Sequence, residues 1–158
     1  MEMAKTLKNF LEQQGVEYEL LMHRHTDSSV NSAHAAHVPE SQLAKPVILE
    51  DMQGYVMAVI PADHHVKIGE LNRLLDRNMG LATESEIPDL FTDCEPGAVP
   101  PVGQAYGMQT IVDNSLDACS DIYFESGNHE QLVHMDGVAF GQLMKNARHA
   151  SICSHQGN

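Results

Sequence analysis

One lysine stands inside an apolar stretch of the sequence. Lys45 lies in the run LAKPVIL, residues 43–49, whose composition predicts a β-strand. Burying an ammonium group is unfavourable unless the group is paired or has a function. Lys45 therefore either lies at a strand end with its head in water or projects into a cleft. In a cleft, its charge could bind a phosphate or stabilise negative charge that develops during a reaction.

A loop rich in proline and glycine could supply a second part of a site. It comprises Gly97, Ala98, Val99, Pro100 and Pro101 within the segment CEPGAVPPVGQAYG. Glycine lets the backbone approach a ligand closely, and prolines stiffen the chain. Backbone N–H groups of this loop could therefore donate hydrogen bonds to a carbonyl oxygen, although an ordinary structural turn has the same composition.

A third candidate is the turn Gly127-Asn128-His129-Glu130, which directly follows a predicted strand. His129 could act as an acid or base there, or orient a substrate. Taken by itself, the spacing favours a solvent-exposed hairpin turn.

The ten histidines include three close pairs, and these raise the question of a metal site. The pairs are His23 with His25, His34 with His37, and His64 with His65. The sequence contains no H-E-x-x-H motif and no C-x-x-C pair, so we expect surface histidines, no metal and no cofactor. It also contains no G-x-S-x-G motif, no P-loop and no dinucleotide-binding fingerprint.

Alternating short helices and strands must position these residues. The predicted helices are 3–14, a short Ala-rich helix capped by Asp27 or Ser28 and ending near Ala36, 67–78, a helix after the Thr83–Glu86 capping box, and one that begins at Asp136. The predicted strands are 16–22, 43–49, 55–62, 110–113, 121–125 and 131–135, with a hairpin turn at residues 51–54. Because no strict βαβ alternation occurs, we predict a single α+β domain, residues 1–150, around a mixed sheet. The polar tail, residues 151–158, is expected to fray.

Composition limits the possible partners. With a formal net charge of −13, broad binding to DNA or RNA is not expected, because Lys and Arg supply most of that affinity. The chain has no apolar run long enough for a membrane span and no signal-peptide pattern at its start. We therefore expect a cytoplasmic protein, with Cys94, Cys119 and Cys153 as free thiols.

The order of these weak signals resembles that of the YbaK/prolyl-tRNA deacylase family over about residues 16–146. The matching pieces are His25-Thr26, an Ala-rich helix, Ala44-Lys45, a Gly turn, Ile60-Pro61-Ala62, Leu81-Ala82-Thr83, Gly97-x-x-x-Pro101, Val112-Asp113 with Leu116, and Gly127-x-His129. The resemblance implies a curved, partly barrel-like mixed sheet flanked by helices. It also implies hydrolysis of the ester that links an amino acid to the terminal ribose of a mischarged tRNA.

The resemblance further implies roles for individual residues. Lys45 would engage the phosphate or ribose of the substrate, and His129 would shape the amino-acid pocket. The backbone of residues 97–101 would hold the ester carbonyl and the amino acid. The motifs also assign His25, Thr26, Asp113 and Gly127 to substrate binding. The resemblance implies that the neighbouring ribose hydroxyl helps to activate water, so neither a metal nor a protein nucleophile would be required.

An acidic protein that acts on tRNA needs at least a local basic surface. Lys67, Arg73 and Arg77 lie on one predicted helix, and we hypothesise that they contact acceptor-stem phosphates. The alternative is ordinary surface charge paired with Glu70 and Asp76. Binding to tRNA would then be weak, or assisted by an aminoacyl-tRNA synthetase.

Two other functions remain open at this stage. Pro46, where the family often has Thr or Ser, and the acidic surface favour a non-catalytic binding or regulatory module on the same fold. The histidine pairs leave a metal-dependent hydrolase as the less favoured alternative.

Overall fold

The computed structural model describes residues 2–24 and 29–155. The helices are α1 Lys5–Gln14, α2 Ser29–Ala35, α3 Ile68–Leu75, α4 Ile87–Leu90, α5 Asn114–Asp117 and α6 Gly137–Leu143, with single 3₁₀ turns at Glu40–Gln42 and Gly103–Tyr106. The strands are β1 Glu19–Met22, β2 Ala44–Asp51, β3 Gly54–Pro61, β4 His64–Val66, β5 Gly80–Leu81, β6 Gln109–Asp113, β7 Asp121–Glu125, β8 Gln131–Asp136, β9 Arg148–Ala150 and β10 Cys153–His155. The expected helix caps Asp27 and Ser28 lie outside the described residues.

The predicted hairpin forms the centre of the larger sheet. β2 and β3 pair antiparallel from Ala44 opposite Pro61 to Asp51 opposite Gly54. The turn is closed by the Asp51 side chain, whose Oδ1 accepts a hydrogen bond from the N–H of Gln53 at 2.7 Å. Strand order in this five-stranded sheet is β5-β2-β3-β6-β9, with β3–β6 and β6–β9 parallel, so the sheet is mixed as predicted.

Two smaller sheets complete the strand architecture. β1, β8 and β7 form an antiparallel sheet, and β4 pairs with β10. One parallel bridge, between Leu43 and Tyr123, joins the first small sheet to the start of β2. The sheets do not close into a barrel, so the structure is a single mixed α/β domain with open sheet edges.

The helices form where the sequence predicts them, with boundaries set by local caps. α1 buries Leu7 and Leu11 against the main core and ends at Gly15, whose φ of 66° is the left-handed conformation that glycine tolerates. α6 is capped by Asp136, whose carboxylate accepts from the N–H of Ala139 at 2.7 Å. The Thr83 N–H donates to the Glu86 carboxylate at 3.0 Å, which is one of the two bonds of the predicted capping box. The other is absent from the part of the chain that the structure describes, because α4 begins at Ile87 with Glu86 as its N-cap residue and without a side-chain cap bond.

The C-terminal residues differ from expectation. Residues 151–155 do not fray, because β10 pairs with β4 and Ile152 is fully buried. β9, which immediately precedes them, extends the larger sheet beside β6. Both pairings depend on backbone hydrogen bonds to distant strands, so the polar local sequence does not indicate them.

Candidate functional site

A cleft lies beside the part of β2 that has no second neighbouring strand. β5 pairs with β2 only at Leu49 and Glu50, and the N–H of Ala82 extends this contact to the carbonyl of Ile48 at 2.9 Å. Before that point, the outer edge of β2 faces the cleft. Pro46 is compatible with this position, because a residue without an N–H group is tolerated at a strand edge.

The cleft has a volume of about 340 Å³ and is mostly apolar. It is lined by Lys45, Pro46, Val47 and Ile48 of β2, by Leu81, Ala82, Glu84 and Ile87, and by Gly97 and Val99 of the proline-rich loop. Two of these lining residues are charged: Lys45 is the cation, and Glu84 is the anion. A smaller hollow of about 270 Å³ adjoins it and shares Glu84, Ile87 and Gly97.

The Lys45 side chain is half-buried, and its head is held by the protein. Nζ donates a hydrogen bond to the carbonyl oxygen of Ala62 at 3.1 Å. Burial lowers the pKa of this ammonium group, while the negative charges of Asp63 and Glu40 act in the opposite direction. A partly desolvated cation interacts more strongly with an anion than one in bulk water, so Lys45 is suited to binding a phosphate.

The loop from Cys94 to Pro101 contributes Gly97 and Val99 to the lining of the cleft. Gly97 is exposed at its tip with a φ of 81°, a conformation that favours glycine, whereas Ala98, Val99, Pro100 and Pro101 are buried. Prolines have no N–H, and the N–H of Ala98 donates to the carbonyl of Glu95 at 3.0 Å. Within the described residues, the N–H groups of Gly97 and Val99 donate to no other residue.

The turn after β7 holds this loop in place. The N–H of Gly127 donates to the carbonyl of Ala98 at 3.0 Å, and the carbonyl of Gly127 accepts from the N–H of Glu95 at 2.7 Å. Gly127 has a φ of 104°, and a Cβ there would approach the Cβ of Ala4 to 2.5 Å. A glycine is therefore required both by the backbone conformation and by the contact with the start of α1.

His129 is buried, with 3% of its surface exposed, so an exposed hairpin turn is wrong for this segment. Its Nε2 lies 2.5 Å from the carbonyl oxygen of Pro96, and its backbone N–H donates to Glu95 at 3.3 Å. Because a carbonyl oxygen only accepts, Nε2 must carry the proton in this contact. His129 thus supports the proline-rich loop from behind, and it is not among the residues that line the cleft.

A buried carboxyl group lies at the end of β7, next to the same turn. Glu125 is 1% exposed. Burial raises the pKa of Glu125 to about 8, the negative charge of Glu95 adds to this effect, and a hydrogen bond from Ser32 opposes it. The sequence analysis did not single out Glu125, because a glutamate that ends a strand is usually exposed.

Asp113 does not reach the cleft. Its carboxylate caps α5 by accepting from the N–H of Ser115 at 3.0 Å, and its other oxygen accepts from the N–H of Ile152 at 2.7 Å. These bonds lower the pKa of Asp113 against the effect of burial. The observed contacts of Asp113 are therefore structural. His25 and Thr26, the remaining expected substrate-binding residues, lie outside the described residues.

The three predicted RNA-binding residues do not form one surface. Arg77 lies beyond the end of α3 and binds Asp51, with Nε 2.8 Å from Oδ2 and a further bond to the carbonyl of Gly54 at 3.1 Å. This pair holds the pKa of Asp51 at about 2. Arg77 is thus committed to the hairpin turn, while Lys67 and Arg73 are exposed and Arg73 pairs with Glu70.

The described histidines are mostly paired with carboxylates. His134 lies between Glu19 and Asp121, His149 contacts Asp117, and Asp63 accepts from His64 at 2.6 Å. Within residues 2–24 and 29–155, no group of three His, Cys, Asp or Glu side chains is arranged to hold a metal ion. In the same residues, no helix has the length and apolar character needed to cross a bilayer.

Comparison with known proteins identifies the class of protein that this fold and cleft represent. The sequence profile of the aminoacyl-tRNA editing domain matches residues 23–142, which is most of the chain. The chain therefore belongs to the aminoacyl-tRNA editing domain family, and this confirms the family indicated by its motifs. A search of curated protein sequences gave no significant match.

Solved structures agree on the fold. The crystal structure of hypothetical protein APE2540 has a TM-score of 0.84 and 23% identity, covering 95% of this chain and 100% of that one. A protein assigned provisionally as a trans-editing enzyme for prolyl tRNA synthetase has a TM-score of 0.80 and 19% identity, with 96% of each chain covered. A provisionally assigned signal transduction protein from Marinobacter aquaeolei VT8 has a TM-score of 0.79 and 19% identity, and 99% of this chain matches 32% of that larger protein.

Proposed function

We propose that this chain is a free-standing trans-editing deacylase that hydrolyses the ester of mischarged aminoacyl-tRNA, without a metal ion and with help from the substrate's own ribose hydroxyl. The observation that carries the proposal is that Lys45, Gly97 and Val99 line one cleft. Membership of the aminoacyl-tRNA editing domain family supports the same activity. Such a substrate would be met in the cytoplasm.

Lys45 would anchor the nucleotide end of the substrate. Its ammonium group is tied to the carbonyl of Ala62 and partly shielded from water, so its position is largely fixed before the substrate arrives. A phosphate near the terminal adenosine would be attracted to this charge more strongly than to a lysine in bulk water. The scissile ester would thereby be placed against the proline-rich loop.

The N–H groups of Gly97 and Val99 would act on the ester carbonyl. Water adds to the carbonyl carbon, and the carbonyl oxygen becomes an oxyanion that accepts these hydrogen bonds. When the intermediate collapses, the bond between the acyl carbon and the ribose oxygen breaks. The free amino acid leaves as one product, and a proton from the attacking water ends on the ribose oxygen of the tRNA.

Activation of the water would be assigned to the ribose hydroxyl beside the ester. No described histidine lines the cleft, and His129 supports the loop through the carbonyl of Pro96. We therefore assign His129 a positioning role: it would keep the loop, and so the amino-acid pocket, at the right distance from β2. Gly127 would act in the same way through its hydrogen bond to Ala98.

The rest of the tRNA would be held weakly. Lys67 and Arg73 are the exposed members of the predicted basic helix and would contact acceptor-stem phosphates, whereas Arg77 is bound to Asp51. Two phosphate contacts on a chain of net charge −13 favour low affinity for tRNA. Docking to an aminoacyl-tRNA synthetase could supply the missing affinity.

A panel of mischarged tRNAs tests this function. Alanyl-, seryl-, threonyl- and cysteinyl-tRNA, each on matched and mismatched tRNA, would be incubated with the protein in the presence and absence of EDTA. Turnover of at least one species, unchanged by EDTA, is expected. Reversible loss with EDTA would instead indicate a metal-dependent hydrolase. Binding without turnover across the panel would indicate a non-catalytic module.

A further inference from the structure

A single carboxylate lines the otherwise apolar part of the cleft. Glu84 lies between β5 and α4 and contributes to both the cleft and the adjoining hollow. It is exposed, and within the described chain no residue forms an ion pair with it or donates a hydrogen bond to it. Glu86, only two residues later, is by contrast occupied by Thr83 and Tyr55. Glu84 therefore has no hydrogen bond that stabilises the start of α4, and its carboxylate serves no structural role among the described contacts.

The charges of the cleft restrict how an aminoacyl ester can lie in it. Such an ester carries an α-ammonium group, because α-amino groups have a pKa of about 7.7–8.0 and are mostly protonated below that pH. Lys45 would repel this ammonium and attract the phosphate of the terminal nucleotide. Glu84 is the carboxylate among the lining residues and would attract the ammonium.

We propose that Glu84 is the recognition residue for the α-ammonium group of the substrate, so that the cleft distinguishes esters with a free amine from those in which the amine is missing or blocked. This inference rests on the proposed deacylase function. Ile87, Leu81 and Val99 would contact the amino-acid side chain, while Lys45 holds the nucleotide end. These apolar side chains lie in the same cleft as Glu84, so the ammonium group and the side chain of the amino acid would be bound side by side.

The test uses non-hydrolysable analogues, so that it does not depend on turnover. In the 5′-monophosphate of 3′-alanylamino-3′-deoxyadenosine the ester is replaced by an amide and the phosphate that Lys45 would bind is kept. The matching lactylamino 5′-monophosphate carries a hydroxyl group in place of the ammonium at nearly the same size. Isothermal titration at pH 6 would give Kd for both analogues with the wild type, with Glu84→Gln and with Asp89→Asn. Asp89 is an exposed carboxylate on α4 that is not among the residues lining the cleft, so it controls for net charge.

The wild type is expected to bind the alanyl analogue about 2–5-fold more tightly than the lactyl analogue, the range for an exposed ion pair. Glu84→Gln should abolish this preference, and Asp89→Asn should keep it. An equal preference in the wild type and Glu84→Gln, or no binding of either analogue, would overturn the inference.

Failure of the deacylase proposal would be recognised separately. If the wild type shows the Glu84-dependent preference but hydrolyses no mischarged tRNA, the recognition site stands and the deacylase proposal fails. If the wild type deacylates tRNA but Glu84→Gln leaves the analogue preference unchanged, the deacylase proposal stands and the proposed role of Glu84 fails.

Discussion

Replacing Glu125 by glutamine should remove a large part of the pH dependence of stability. The folded protein holds this carboxyl in a buried position, where its pKa is about 8, compared with 4.5 for an ordinary glutamate. Between these two pH values the folded state keeps a proton that the unfolded state has lost. The free energy of unfolding must therefore fall as pH rises from about 4.5 to about 8.

The size of the effect follows from the pKa difference. Each pKa unit corresponds to about 1.36 kcal/mol, so a carboxyl raised from 4.5 to about 8 destabilises the fold by at most about 5 kcal/mol above pH 8. Relaxation and water entry reduce such penalties, and we expect about 2–4 kcal/mol. Glutamine has nearly the same shape and cannot ionise, so the variant should not show this loss.

Urea denaturation at pH 6 and pH 9 measures the prediction. The wild type should lose about 1–2 kcal/mol more than Glu125→Gln between the two pH values, because the unfolded state has already lost most of this proton by pH 6. His134, whose pKa is raised by hydrogen bonds to Asp121 and Glu19 against the effect of burial, also loses stabilisation as pH rises, but it does so equally in both proteins. Glu17→Gln, at an exposed position, should behave as the wild type. Parallel pH profiles for the wild type and Glu125→Gln would refute the reasoning.

Two further substitutions test how the site is supported. Gly127→Ala should lower stability by about 2–4 kcal/mol, because it combines a φ of 104° with a Cβ that meets Ala4 at 2.5 Å. Gly15→Ala, with a φ of 66° and no atom within 4 Å, should cost only about 1 kcal/mol; equal losses in thermal denaturation would contradict the packing argument. Arg77→Ala should lower the melting temperature clearly while leaving tRNA affinity unchanged, because Arg77 binds Asp51. Weaker tRNA binding by a folded variant would instead indicate that Arg77 contacts the tRNA.

The local elements could be predicted from the sequence because their signals are local. The hairpin of β2 and β3 follows from two apolar runs around a four-residue turn, and Gly15 and Asp136 mark helix ends through their own backbone geometry. The lysine within an apolar strand was also a sound indicator, since Lys45 does line a cleft. Each of these inferences used residues within one turn or one strand of each other.

Long-range pairing could not be predicted in the same way. β10 is polar and pairs with β4 through its backbone, so its own residue pattern gives no strand signal. Arg77 was expected to lie on the same helix as Arg73, yet α3 ends at Leu75 and the ion pair with Asp51 spans 26 residues of sequence. An ion pair of this kind depends on the tertiary structure, which brings together residues that are far apart in sequence.

The site itself was predicted only in part. Lys45 and the Gly97 loop meet as expected, but the wall formed by Leu81, Glu84 and Ile87 was not anticipated, because a capping box locates a helix without showing what its first turn faces. His129 was expected at the ligand or on the surface, and it lies behind the loop instead. The sequence of a Gly-Asn turn predicts an exposed histidine, because it does not show which other segment of the chain covers the turn.

The most direct test of the account compares Lys45→Ala with Lys67→Ala in deacylation of whichever mischarged tRNA the wild type hydrolyses. Both changes remove one lysine from an acidic protein, but only Lys45 lines the cleft. We predict that Lys45→Ala lowers kcat/KM by at least about 10²-fold, as expected when a fixed charge is lost from a reaction site, with an unchanged melting temperature. Lys67→Ala should lower kcat/KM by no more than about 3-fold, through tRNA affinity alone. Full activity in a folded Lys45→Ala protein would contradict the central claim.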